Sequence, residues 1–201
     1  MSLKITYRFI ASFYDAFLGH TLVTDIRKRS LSTLAQRERG RVLLSGVGTG
    51  LDFPCLPTQH HYTALDLTAA MLARSRNRAN GQNMTWVQGD SMELPFASGS
   101  FDYVVLHLIL AVVPQPQRCL AEAARVLKPG GCIFLFDKFL RRGERAWLRR
   151  ILSPLAGQVA TRLDVVFEDV LETVPELRVL SDQPALGRGW FRLIELQKKD
   201  S

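Results

Sequence analysis

The chain has 201 residues, 47% of them hydrophobic and 22% charged, a length and balance that fit one globular domain with a continuous core and exclude a disordered or low-complexity protein. Lys and Arg number 26 against 19 Asp and Glu, and the formal net charge of +7 implies something anionic outside the chain: a nucleic acid, an acidic small molecule or an anionic membrane surface.

In chain order, two helical segments come first, roughly Lys4 to Leu18 and Thr21 to Gln36. The first sets Phe9, Ile10, Phe13 and Phe17 on one side and Lys4 and Arg8 on the other, the pattern of a helix that packs or lies on a surface. From Arg41 onward short β-branched runs alternate with helical patterns, which predicts a parallel sheet with helices on both faces. The predicted strands are Arg41 to Ser45, His61 to Asp66, Met84 to Gln88, Phe101 to Leu106, Cys132 to Asp137, Arg178 to Asp182 and Trp190 to Gln197. Leu120, Ala123, Ala124 and Leu127 recur at helical spacing, and Lys128-Pro129-Gly130-Gly131 stops that helix. Residues 1–201 thus read as a single α/β domain, with 1–40 as a helical cap and 41–201 as a doubly wound seven-stranded core.

The first strand runs into Gly46-Val47-Gly48-Thr49-Gly50, with a helical stretch expected after it. Side chains are missing there where a ligand would touch backbone. A dinucleotide fold needs G-x-G-x-x-G, and the third position of that pattern here is Leu51, which makes nicotinamide cofactors a poor match. Asp66 ends the second predicted strand, where a carboxylate can accept hydrogen bonds from both hydroxyls of a ribose. Asp90, in Gly89-Asp90-Ser91, follows the third, where it can accept one from an adenine amino group. Each feature alone is weak, since a glycine turn is often only a turn and Asp66 alone reads as a helix N-cap. At successive strand ends they point together to an adenosine-type cofactor.

Cys55, Cys119 and Cys132 are odd in number and lack any C-x-x-C pair, which predicts buried thiols and neither disulfides nor zinc. His60 and His61 are adjacent on a predicted strand and point to opposite faces, so no metal is expected. The longest apolar stretch, Tyr103 to Val113, is broken by His107 and falls short of the roughly 18 residues of a membrane-spanning helix. With no small-residue cleavage site in MSLKITYRFIASFYD, the expectation is a cytoplasmic protein.

The segments VLLSGVGTG, YTALDLTAAML, VQGDSMELPFASGSFDYVVL and ARVLKPGG together resemble the class I S-adenosylmethionine-dependent methyltransferases over nearly the whole chain. The resemblance implies a Rossmann-like sheet, mostly parallel with an antiparallel last strand, and S-adenosylmethionine as cofactor. It implies that Gly46, Val47, Gly48, Thr49 and Gly50 line the methionine part and that Asp66 holds the ribose. Leu67 and Met71 would then pack near the adenine, and Asp90, Ser91 and Met92 border its far side. The family usually carries an acidic residue two positions before the first glycine, where this chain has Leu44 followed by Ser45. Either Ser45 substitutes for it or the cofactor is held more weakly.

Base-methylating members generally show Asp or Asn followed by Pro-Pro-Tyr after the fourth strand; here His107-Leu108-Ile109-Leu110 stands there, and no Pro-Cys occurs, which weighs against nucleic acid as the acceptor. GVGTGLDFPCLP, HLILAVVPQPQRCLAEAARVLKPGG and FDKF look most like the bacterial phospholipid N-methyltransferases and their quinone-methylating relatives. That implies methyl transfer to a phosphatidylethanolamine-like amine or another small molecule. O- or C-methylation of a quinone-like ring, and a binding module without transfer activity, are the alternatives. Peripheral contact with an anionic inner membrane face would suit the basic residues Lys4, Arg8, Arg141, Arg142, Arg145, Arg149 and Arg150 beside Trp147, the alternative being a packed helix and a solvated face. His107 is the candidate base, or a hydrogen-bonding neighbour of the cofactor, and Tyr14 the candidate contact from the cap.

Overall fold

A computed structural model describes residues 20–79, 81–140, 142 and 165–200. Helix α1 (His20–Ala35) is followed by β1 (Arg41–Ser45), β2 (His61–Asp66), α2 (Ala69–Arg76), β3 (Asn83–Gln88) and β4 (Phe101–His107). Then come α3 (Pro116–Val126), β5 (Leu127–Lys138), α4 (Phe167–Leu171), β6 (Leu177–Leu186) and β7 (Phe191–Lys198). The expected helix at Lys4 to Leu18 lies outside the described residues.

The seven strands form one sheet in the order β3-β2-β1-β4-β5-β7-β6. Pairing is parallel from β3 across to β5, and β7 runs antiparallel to both β5 and β6. Alternation along the strands sorts the core onto two faces. Val42, Leu44, Ala64, Val105 and Phe134 meet Leu31 and Leu34 of α1. Leu43, Leu65, Val104, Leu106, Ile133 and Leu135 meet Leu120, Ala123 and Ala124 of α3 and Phe167 and Val170 of α4.

The helical stretch expected after the glycine turn is instead a short 3₁₀ turn, Phe53–Cys55. Pro54 and Pro57 remove backbone donors there, so a longer helix would lack rungs of its hydrogen-bond ladder. Helix α3 ends at Val126 with its C-cap Leu127 already extended, so β5 begins before the glycines rather than after them. Gly130 takes a left-handed φ of 72°, and β5 shifts register against β4 between Phe101 and Tyr103.

Gly131 lies against this irregularity. A Cβ there would stand 2.7 Å from the carbonyl oxygen of Asp102, which is backbone and cannot swing aside. Gly131→Ala is therefore expected to cost about 1–3 kcal/mol in unfolding free energy, read from urea denaturation.

Candidate functional site

The carboxyl ends of β1, β2, β3 and β4 converge on one edge of the sheet. Leaving β1, the Gly46 and Val47 N–H groups both donate to the Leu65 carbonyl, at 2.8 and 3.0 Å. Gly48 N–H then donates to Asp66 Oδ2 at 2.8 Å. The turn needs glycine at both ends of this crossing. Gly46 (φ 77°) lies under Ile109, whose Cδ1 would be 2.6 Å from an added Cβ, whereas Gly48 (φ 53°) has no atom of the described residues within 4 Å of one. Gly46 is thus dictated by packing, and Gly48 leaves open space over backbone. Thr49 lies on the same turn, its carbonyl accepting from Arg78 Nη1 at 2.6 Å.

Asp66 is nearly buried. Its Oδ1 accepts from Thr68 N–H (3.0 Å) and from the Thr68 hydroxyl (3.3 Å), so Thr68, not Asp66, caps α2 by accepting from Met71 N–H. Burial pushes the Asp66 carboxyl up, and the bonds from Thr68 and Gly48 only partly offset it. Between these residues Leu67 stands 57% exposed, an apolar side chain at a strand end where a flat ring could rest, while Met71 is buried at the first turn of α2. Asp90 Oδ1 accepts from Met92 N–H at 2.8 Å and its Oδ2 accepts nothing among the described residues. Ser45 donates to Ser91 Oγ at 2.8 Å, both nearly buried, and Met92 packs partly buried against the core.

On the β4 side the sequence reading missed a buried network. His107 Nδ1 lies 2.8 Å from Asp52 Oδ1 and Nε2 lies 2.9 Å from Ser30 Oγ on α1. Arg27, one turn earlier on α1, pairs with the same Asp52 oxygen. Burial would raise the Asp52 carboxyl, but Arg27 and then His107 outweigh it and hold it below the usual carboxylate range. An ionised Asp52 only accepts, which assigns a proton to Nδ1 and, in the neutral ring, leaves Nε2 to accept from the Ser30 hydroxyl. The His107 side chain is 1% exposed. Arg27 and Ser30 stand far from Asp52 and His107 in the chain, and no motif links them; only the position of Asp52, just past Gly50, offered a signal.

Leu108 follows in the left-handed region at φ 56°, held by its N–H bond to the Phe136 carbonyl, a strain of about 1–2 kcal/mol in a residue with a Cβ. Beneath it Asp137, at the end of β5, is buried with both oxygens accepting backbone N–H groups, from Ala111 (3.0 Å) and Lys138 (2.8 Å). Burial pushes Asp137 up to about 6.

Tyr14 lies outside the described residues, as do Lys4, Arg8, Arg141, Arg145, Trp147, Arg149 and Arg150. Arg142 is ion-paired with Asp169 and Glu172. Cys119 and Cys132 are buried and Cys55 partly so. His60 serves structure, accepting from Gly40 N–H and reaching the Leu34 carbonyl. Among the described residues no helix is long and apolar enough to cross a membrane.

A glycine turn with open backbone, a braced carboxylate at the next strand end and an exposed leucine beside it define an α/β protein able to hold a nucleoside-bearing ligand at its carboxyl edge. Residues 43–135 match a methyltransferase domain family. Over 191 residues the chain is 31% identical to the phosphatidylethanolamine N-methyltransferase of Cereibacter sphaeroides, covering 92% of this chain and 93% of that protein. It is 40% identical over 111 residues to a ubiquinone/menaquinone biosynthesis C-methyltransferase of Ruegeria sp. (strain TM1040), covering 52% of this chain and 44% of that one. In fold it resembles an S-adenosylmethionine-dependent methyltransferase of Thermotoga maritima, with a TM-score of 0.70 at 21% identity over 98% of this chain and 99% of that one.

The chain belongs to the S-adenosylmethionine-dependent methyltransferases. Its cofactor is S-adenosylmethionine, and the open Gly48 backbone, exposed Leu67 and uncommitted Asp90 oxygen fit such a molecule.

Two outcomes follow from this geometry. Gly48→Ala is expected to cost only about 1–2 kcal/mol of stability yet weaken S-adenosylmethionine binding about tenfold or more, whereas Gly46→Ala, driven into Ile109, costs about 3 kcal/mol; urea denaturation and calorimetry separate the two. Asp137 binds its proton more tightly folded than unfolded, so its contribution is full below the ordinary 3.8 and is lost as pH rises to about 6. The stability of the wild type relative to Asp137→Asn should fall by about 2–2.5 kcal/mol between pH 4 and pH 7 in urea titrations.

Proposed function

We propose that the chain transfers the methyl group to the amine of a phosphatidylethanolamine-like lipid. The observation that carries this reading is the likeness to the Cereibacter sphaeroides N-methyltransferase along nearly the whole of both chains. The likeness to the quinone C-methyltransferase is higher in identity but covers about half of each. S-adenosylmethionine supplies a sulfonium methyl already activated toward nucleophiles, so the protein's task is to hold donor and acceptor in line and keep water out.

In this reading the backbone from Gly46 to Gly50 lies along the donor, Asp66 meets the ribose, Leu67 and Met71 flank the adenine, and Asp90, Ser91 and Met92 close its far side. Ser45 braces that wall through Ser91. His107, with both ring nitrogens on protein partners, acts as a positioning residue. That arrangement favours an acceptor that attacks as a free amine over a ring carbon that needs a base. Tyr14 is assigned to the acceptor side by resemblance alone. The net charge of +7 supports approach to an anionic membrane surface carrying the substrate.

Incubating the protein with methyl-labelled donor and vesicles of phosphatidylethanolamine mixed with an anionic lipid is expected to place the label on the headgroup nitrogen, at a rate that falls as salt is raised. Mass spectrometry of the products checks this. Label found instead on a demethylated quinone ring, with none on the lipid, would replace the reading by the quinone one.

A further inference from the structure

Around the glycine turn the carboxylates are unequally committed. Asp66 has both oxygens engaged by Gly48 and Thr68, and Asp137 has both engaged by Ala111 and Lys138. Asp90 keeps an oxygen that accepts nothing among the described residues, but on the β3 side. Asp52 stands across the turn against His107 at the end of β4; its Oδ1 takes both Arg27 and His107, while Oδ2 accepts no hydrogen bond among the described residues and caps no helix. The Asp52 side chain remains 14% exposed, and Arg27 at 9% commits only Nη1 among the described residues.

S-adenosylmethionine has two chemically distinct ends, a nucleoside and an amino-acid zwitterion. With the nucleoside at Asp66, Leu67 and Asp90, the zwitterion falls to the other side of the turn, toward β4. It needs an acceptor for its ammonium and a donor for its carboxylate. Leu44 is buried in the core at 3% exposure and Ser45 spends its hydroxyl proton on Ser91, so neither serves. We propose that the Arg27–Asp52 pair is the receptor for the amino-acid end of the donor, Asp52 Oδ2 taking the α-ammonium and the Arg27 guanidinium the α-carboxylate.

Charge supports the match. A neutral ion pair meets the neutral amino-acid end of the donor, so these four charges satisfy one another. His107 fixes the Asp52 carboxylate from one side, and Ser30 fixes His107, which gives these two the role of positioning residues for the receptor. Because Arg27 and Ser30 both lie on α1, the helix is part of the cofactor site rather than only a cover for the sheet. The proposal rests on the reading that Asp66, Leu67 and Asp90 hold the adenosine.

Calorimetry on the full chain with S-adenosylhomocysteine and with 5′-methylthioadenosine, which lacks the amino-acid end, tests it. The wild type is expected to bind S-adenosylhomocysteine at least about tenfold more tightly than 5′-methylthioadenosine. Asp52→Asn and Arg27→Gln should each shrink that ratio about tenfold, with 5′-methylthioadenosine affinity unchanged within about twofold. Equal affinity of the wild type for both ligands would overturn the proposal without recourse to any variant. So would variants that weaken both ligands alike, since that is the signature of a disturbed fold. Failure of both ligands to bind the wild type would overturn the adenosine reading and this proposal with it.

Discussion

The hydrogen bond from Gly48 N–H to Asp66 Oδ2 is the constraint from which the site follows. It joins the turn after β1 to the end of β2, and it forms only because the two strands are parallel and in register, Ser45 opposite Leu65. With one Asp66 oxygen bound to the turn and the other to Thr68, the intervening Leu67 has nowhere inward to go and stands exposed. Left-handed glycines let the chain reverse in that space without a side chain between backbone and ligand. A carboxylate, an apolar platform and bare backbone are thereby placed within a few residues of one another.

The parts of this arrangement that depend on local pattern are legible in the sequence. β1 and β2 fall where β-branched alternation puts them, and α1 differs from expectation by one residue at each end. The glycine spacing and Asp66 stood out because strand ends and turn chemistry leave short-range signals. The expected helix after Gly50 failed on Pro54 and Pro57, whose cost outweighed the apolar pattern around them. Arg27 and Ser30 carry no such signal, since helix α1 gives no sign in its own residues of which part of the sheet edge it will meet. Asp66 and Thr68 are both good N-cap residues, and the bond from Gly48 N–H to Asp66 goes with Thr68 taking the cap.

Leu44 illustrates how a departure from a family pattern is absorbed. Sitting at the core face of β1, it packs with Phe134 and Leu31 and adds to the cluster under α1. An acid in its place would have been desolvated on that face unless it reached the edge. The chain instead carries an acid beyond the turn, at Asp52, where a guanidinium and an imidazole from two other elements keep it ionised. The strained Leu108 and the buried Asp137 lie next to this region as well, so the β4 side of the edge carries both backbone strain and buried charge.

The order of strands also dictates a timetable. β7 inserts between β5 and β6, so β6 has no partner in the sheet until β7 is in place, and β5 keeps one open edge for as long. During synthesis the five strands from β3 to β5 can close first, with the turn and cofactor edge already formed. Until β6 and β7 arrive, β5 presents an unpaired edge, the kind of surface on which partly made chains aggregate.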